Sequence, residues 1–118
     1  MWPSAVVLSR YLVTNPHELI NKDVLEIGCG CGLSGLVAGR IKASQGGDKV
    51  TTVHLTDFNA TVVKNCEGNI ALNGLRNVVK AEQLDFYQQD MAVDGWVDSM
   101  GKKHEQVDVI LAADVICQ

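Results

Sequence analysis

Four carboxylates stand at or near the ends of apolar, strand-like runs: Glu26, Asp57, Asp85 and Asp114. Directly after the first comes Gly28-Cys29-Gly30-Cys31-Gly32-Leu33-Ser34-Gly35, and Phe86 follows the third. These residue types suit ligand recognition. Carboxylates accept hydrogen bonds from hydroxyls and amines and attract cations. Glycine has no Cβ, so its backbone approaches a ligand closely and takes positive φ. An aromatic face packs on a flat ring. A nucleotide-like ligand with sugar hydroxyls, an amine-bearing base and a cationic end would use all of them.

Two motifs share the glycine letters. Gly30-Cys31-Gly32-Leu33-Ser34-Gly35 reads G-x-G-x-x-G, the dinucleotide fingerprint. Glu26 to Gly32 reads E-x-G-x-G-x-G. Register separates them. The strand ends at Ile27, so a turn starting at Gly30 leaves Gly28 idle, whereas the second reading starts the turn at Gly28. Glu26 then lies at the strand's carboxyl end, where it repels a pyrophosphate and suits an ammonium or sulfonium. That favours S-adenosylmethionine over NAD. Glu26 and the backbone of Gly28, Gly30 and Gly32 are expected at its methionyl end. Asp57, about 25 residues beyond Gly32, has the spacing of an acceptor for both ribose hydroxyls. Asp85 would accept from the adenine amine with Phe86 against the ring. Asp114 would stand nearest the transferred group and the incoming nucleophile, with Ala113 beside it.

The elements that must position these residues alternate. Ser4 is read as the N-cap of a helix carrying Val7, Leu8, Tyr11 and Leu12, stopped by Asn15-Pro16. A strand is expected over Asp23 to Ile27. The helix over Leu33 to Ala43 shows Leu33, Leu36, Val37 and Ile41 on one face. Val50 to Asp57 reads as the second strand. Asn59 caps a helix with Val62, Val63, Cys66 and Ile70, ended by Asn73-Gly74. Val78 to Phe86 reads as the third strand. A polar stretch from Tyr87 to Gln106 follows, with a helical turn around Met91 to Met100. Val107 to Ala113 is a buried-type strand. Alternation of this kind predicts an α/β fold with a Rossmann-like, doubly wound parallel sheet, which binds ligands beyond the strands' carboxyl ends.

A length of 118 residues allows one domain, spanning 1–118. With 47% apolar and 20% charged residues, the composition is that of a folded chain. A net charge of −4, with no basic run beyond Lys102-Lys103, offers no footprint for nucleic acid. No apolar stretch spans a bilayer, and no signal peptide is visible, so neither a membrane nor a nucleic-acid partner is expected. The expected location is cytoplasmic, with the nucleus as the alternative. Cys29-x-Cys31 lacks a second pair or a nearby histidine, so no metal is expected and the thiols are read as reduced packing groups.

At this point the chain resembles the class I, seven-strand S-adenosylmethionine-dependent methyltransferases. Within them it is most similar to the lysine methyltransferase-like group called methyltransferase family 16. The resemblance is carried by Trp2-Pro3-Ser4-Ala5, the run Val24 to Leu33, Leu55-Thr56-Asp57, Asn65 with Asn69 and Asn73, Leu84-Asp85-Phe86, and Ala113-Asp114-Val115-Ile116. It implies that Trp2 and Phe86 border the cofactor and that Asp57 binds ribose. The group commonly has Trp where Phe86 stands, and Asp-x-x-Tyr where this chain has Asp114 to Cys117.

The seven-strand fold implied by the resemblance exceeds the four main strands read here. The expectation is the N-terminal, cofactor-binding part of such a fold, as a single partial domain. The expected reaction is attack of a neutral amine, oriented by Asp114, on a sulfonium methyl, with a protein lysine as acceptor. RNA and small-molecule acceptors remain open at this stage. The alternatives are a noncatalytic adenosine-binding or interaction module, and an NAD-dependent oxidoreductase.

Overall fold

The computed structural model describes residues 3–45, 51–85, 95–97, 101–104 and 107–113. Three helices and a four-stranded parallel sheet make up most of it. Helix α1 spans Pro3–Thr14 and is followed by a 3-10 turn over Pro16–Leu19. Strand β1 is Val24–Ile27, α2 is Leu33–Ser44, β2 is Val53–Asp57, α3 is Ala60–Leu72 and β3 is Val79–Gln83. Trp96–Val97 (β4) and Lys103–His104 (β5) pair antiparallel as a separate two-stranded ribbon, and β6 is Val109–Ala112.

The sheet order is β3-β2-β1-β6, all parallel. The chain runs outward from β1 through β2 to β3, then returns to the other side of β1. Strand order therefore reverses between β1 and β6, which is where open α/β sheets bind ligands. The register pairs Glu26 with Leu55 and with Leu111, and Ile27 with Ala112. Paired residues share a face, so Val24, Val53, Leu55, Val79 and Leu111 form one apolar surface. That surface packs against Leu12, Ala38, Cys66 and Ile70 of the three helices. On the opposite face Leu25 meets Trp96, with Ile27, Leu84 and Val107 around them. The described helices thus cover one face, and the β4–β5 ribbon lies on the other.

Several boundaries differ from the expectation. α1 begins at Pro3, so Ser4 is a helical residue and not the cap; proline at the first helical position needs no N–H partner. Val7 and Tyr11 face outward, and Leu12 with half-buried Leu8 faces the core. In α2 the buried stripe is Ser34, Gly35, Ala38, Gly39 and Lys42, while Leu33, Leu36, Val37 and Ile41 are only half-buried. The reason is distance. A Cβ on Gly35 would stand 1.8 Å from Leu55 Cδ2, and one on Gly39 2.3 Å from Val79 Cγ2. From Ser34 to Gly39 the helix backbone lies so close to the sheet that only small residues fit between them, while Lys42, a turn further on, reaches past it to the Leu19 and Lys22 carbonyls.

β2 starts at Val53 and β3 ends at Gln83, both shorter than the sequence suggests. Of the helical turn expected around 91–100, residues 96–97 are instead extended and paired; the rest, except Gly95, lies outside the described residues. α3 matches its reading. The Asn59 side chain accepts from the Thr61 and Val62 amides at 2.9 and 3.3 Å, and Val63, Cys66 and Ile70 are buried. Gly74, at φ 65°, closes the helix, with the Leu75 amide reaching back to the Ile70 carbonyl at 3.1 Å.

Candidate functional site

The loop from Gly28 to Gly32 leaves β1 at the carboxyl edge of the sheet. Gly28, Gly30 and Gly32 all take left-handed φ, at 60°, 56° and 86°. The first turn residue is Gly28, immediately past Ile27, as the E-x-G-x-G-x-G register requires. Gly32 is the N-cap of α2, and no side chain caps the helix there. A Cβ at Gly32 would press on Leu55 Cδ1 at 3.0 Å and Cys66 Sγ at 3.3 Å. At Gly30 a Cβ would meet nothing within 4 Å. One side of the loop is therefore packed, and the other opens outward.

Side chains from β2 and α3 hold the loop. The Cys29 amide donates to the Thr56 carbonyl at 2.9 Å, prolonging the β1–β2 pairing past the strand. Asp57 ends β2 in a buried position. Its Oδ2 accepts from the Gly30 amide at 3.4 Å and its Oδ1 from the Asn59 amide at 3.0 Å. Cys66 donates to the Gly30 carbonyl at 3.0 Å, and Asn69 Nδ2 to the Cys31 carbonyl at 3.0 Å. The Cys29 and Cys66 sulfurs lie 3.5 Å apart. The Gly30 carbonyl also lies 3.9 Å from Cys29 Sγ, so the two thiols and this carbonyl form one small hydrogen-bonded cluster. The bond to Cys66 and burial both push the Cys29 thiol up from its ordinary value.

Glu26 sits deeper than its expected role suggests. It is 3% exposed on the helix-covered face, and its Oε1 accepts from the Gly35 amide at 3.3 Å. The carboxylate thus faces the first turn of α2, whose dipole favours negative charge. Burial nonetheless pushes its pKa up to about 7, against hydrogen bonds from Ser34 and Gly35 that hold it down.

Of the other expected site residues, Asp85 is half-buried two residues past β3. The Leu84 amide donates to the Asp57 carbonyl at 3.0 Å, which brings this strand end to the same edge. Ala113 lies one residue past the Ile27–Ala112 pair, at the point where strand order reverses. Trp2, Phe86 and Asp114 lie outside the described residues. Glu26, Gly28, Gly30, Gly32, Asp57, Asp85 and Ala113 therefore all belong to the carboxyl edge.

Three residues here escape the sequence reading as site residues. Phe58, 71% exposed, directly follows Asp57 and presents an aromatic ring at this edge. Cys66 and Asn69 reach the loop from α3, and their spacing of three along a helix is the signal that they share a face. Elsewhere, His54 lies edge-on to Trp96 and His104 at centroid distances of 4.9 and 5.0 Å, with Glu82 Oε1 3.9 Å from its Nδ1. This cluster borders a concavity of about 500 Å³ that also touches Asp23 and Thr52. It lies toward the amino ends of the strands, away from the glycine loop.

A parallel sheet, a glycine loop leading into a helix N-terminus and an acid ending β2 define a Rossmann-like nucleotide-type domain. The chain belongs to the lysine methyltransferase family, whose family model matches residues 1–118. It is 35% identical to the protein-lysine N-methyltransferase EFM2 of Saccharomyces cerevisiae, over 98% of this chain and 29% of that protein. It is 34% identical to the protein-lysine methyltransferase METTL21E of Bos taurus, over 98% of this chain and 37% of that one. With human EEF2KMT, also a protein-lysine N-methyltransferase, the identity is 30% over 98% and 34%. The chain thus spans about a third of the length of these relatives. In fold it resembles the Trypanosoma brucei PRMT1 enzyme–prozyme complex with AdoHcy, at a TM-score of 0.67 and 19% identity, covering 92% of this chain and 28% of that one. Arabidopsis thaliana protein arginine methyltransferase 10 superposes with a TM-score of 0.65 at 17% identity, covering 89% and 24%.

Proposed function

We propose that this chain forms the cofactor-binding part of an S-adenosylmethionine-dependent protein-lysine methyltransferase. The observation that carries the reading is the loop itself. Its turn starts at Gly28, its backbone is open at Gly30, and it is held against Asp57 through the Gly30 amide. An open Cβ position at a left-handed glycine permits a ligand to approach the backbone closely, and at Gly30 it lies at the carboxyl edge of the sheet beside Asp57. The family match and the lysine methyltransferases among the relatives support the reaction and the acceptor.

The bound cofactor would supply a methyl group activated by a sulfonium. This chain's residues would bind and orient. Asp57 retains acceptor capacity beside its two backbone partners, because a carboxylate has about four lone-pair sites. It would accept from the ribose hydroxyls. Asp85 would accept from the adenine amine, with Phe58 and Phe86 as aromatic neighbours of the ring. The backbone of Gly28, Gly30 and Gly32 would lie along the methionyl end, with Glu26 supplying negative charge behind it. Trp2 and Ala113 would border the cofactor. Asp114 would orient the attacking amine, which must arrive neutral. Positioning and electrostatics are what the protein adds to the chemistry the cofactor carries.

A protein acceptor is the partner this reading implies, and neither nucleic acid nor membrane is part of it. Among the described residues no helix is long and apolar enough to cross a membrane. Action in the cytoplasm, or alternatively the nucleus, is part of the same proposal. Calorimetric titration tests the cofactor. S-adenosylhomocysteine should bind and NAD should not. Binding of NAD with no response to S-adenosylhomocysteine would sink the proposal. Transfer of labelled methyl from S-adenosylmethionine to protein lysines, assayed on the longest natural form of the protein, tests the reaction.

A further inference from the structure

Two side chains on one face of α3 grip two consecutive carbonyls of the glycine loop. Cys66 Sγ donates to the Gly30 carbonyl and Asn69 Nδ2 to the Cys31 carbonyl, each at 3.0 Å. Asn69 is itself tied in. Its carbonyl accepts from Asn73 Nδ2 at 2.8 Å, and the Asn73 carbonyl accepts from Arg40 Nη2 of α2 at 2.6 Å. The helix that follows the loop and the helix that grips it are thereby locked together.

The grip has a directional consequence. A trans peptide is planar, with C=O and the next N–H pointing opposite ways. With the Gly30 carbonyl turned to Cys66, the Cys31 N–H points away from α3. The next peptide is fixed at both ends, by Asn69 on the Cys31 carbonyl and by the Gly32 amide donating to the Cys29 carbonyl at 2.8 Å. Meanwhile the Gly30 amide is held by Asp57. Left-handed glycines have shallow alternatives, so such a loop adopts several shapes unless side chains select one. Helix stability gives asparagine no reason to stand at position 69, since alanine is the better helix former there.

We infer that Asn69, assisted by Cys66, is a positioning residue for cofactor binding, selecting the ligand-ready shape of the Gly28–Gly32 loop through the Cys31 and Gly30 carbonyls. This rests on the methyltransferase reading above. It predicts a loss in affinity without a matching loss in fold.

The test compares S-adenosylhomocysteine titrations at 10 °C for the wild type, Asn69→Ala, Asn69→Asp and Asn65→Asp, each with a ligand-free melting curve. Asn65, exposed on the same helix, controls for the added charge. Asn69→Ala should raise Kd at least tenfold with the ligand-free Tm within a few degrees of wild type. Asn69→Asp should be worse, because a carboxylate then faces a carbonyl. Asn65→Asp should bind as wild type does. Amide exchange in the loop should quicken in the Asn69 variants alone. An Asn69→Ala protein binding within twofold of wild type overturns the inference and leaves the cofactor reading standing. So does an affinity loss that merely follows the unfolded fraction, or one that Asn65→Asp reproduces. A wild-type protein indifferent to S-adenosylhomocysteine overturns the cofactor reading, and the inference with it.

Discussion

Asp57 Oδ2 lies 3.4 Å from the Gly30 amide nitrogen, so the acid that ends β2 also anchors the loop that leaves β1. With Cys66 on the carbonyl of the same glycine, both backbone polar groups of Gly30 are held by side chains. The residue expected at the ribose hydroxyls is therefore also part of the scaffold. A carboxylate serves both tasks because it accepts several hydrogen bonds at once.

Replacing Asp57 by Ala should consequently lower two quantities. Affinity for S-adenosylhomocysteine should fall by about 1–3 kcal/mol, the worth of a charged acceptor for hydroxyls. Thermal stability should fall too, because the Gly30 and Asn59 amides lose their partner. Asp57→Asn keeps one acceptor oxygen and should recover part of the stability but little of the affinity. A melting curve and a titration on each variant check this; a stability loss with affinity intact would leave Asp57 a scaffold residue only.

Gly30 and Gly35 separate binding from packing. Gly30→Ala forces a Cβ at φ 56° into open space, costing about 1–2 kcal/mol of backbone strain and intruding where the ligand would approach. Gly35→Ala sets a methyl 1.8 Å from Leu55 Cδ2 and 2.9 Å from Glu26 Oε1, an overpacking worth about 3 kcal/mol or more. The first variant should melt only several degrees below wild type and lose S-adenosylhomocysteine binding. The second should melt far lower. Urea denaturation alongside titration distinguishes them, and equal effects on both quantities in both variants would contradict the assignment.

Much of this was legible in the residues, and the gaps have physical causes. The strand–glycine–helix register and the Asn59 cap are local signals, and both stand in the structure. The α2 stripe was not legible, because periodicity marks large apolar residues while close approach selects small ones, here Gly35, Ala38 and Gly39. Glu26 could be placed on β1 from sequence, but not on the helix-covered face, since strand alternation fixes sides only once the partners are known. The ribbon at Trp96 and His104 depends on contacts with His54, far away in sequence. The spacing of Cys66 and Asn69 places them on one helix face, but the loop they grip lies more than thirty residues away, so the target of that face was not legible.

Cysteine chemistry offers a direct probe of the loop. Among the described residues the free cysteines are Cys29, Cys31 and Cys66, and of these only Cys31 is exposed. Cys29 is buried with its thiol pushed up, by the bond to Cys66 first and by burial second. Reactivity follows thiolate fraction and access. Alkylation of the native protein at neutral pH, read by peptide mass mapping, should label Cys31 well ahead of Cys29 and Cys66, which stay protected until denaturant is added. Rapid labelling of Cys29 in the folded protein would contradict the described packing of the loop.

Glu26 gives the pH dependence. Its folded pKa, about 7, lies above the ordinary 4.5, with desolvation as the leading cause. The folded state therefore holds the proton more tightly than the unfolded chain. The favourable contribution is fully present below about pH 4.5 and is lost as pH rises through 7, where the buried group must ionise. Glu26→Gln keeps a neutral group of similar shape at all pH values. It should match wild type near pH 4.5 and exceed it in stability at pH 8, by up to about 3 kcal/mol. A cationic ligand beside the loop would favour the ionised form, so saturating S-adenosylmethionine should narrow that difference in the wild type. Urea unfolding of both proteins at pH 5 and pH 8 measures it. A Gln variant less stable than wild type at pH 8 would show that the hydrogen bonds from Ser34 and Gly35 outweigh desolvation, so that the folded protein holds this proton less tightly than the unfolded chain.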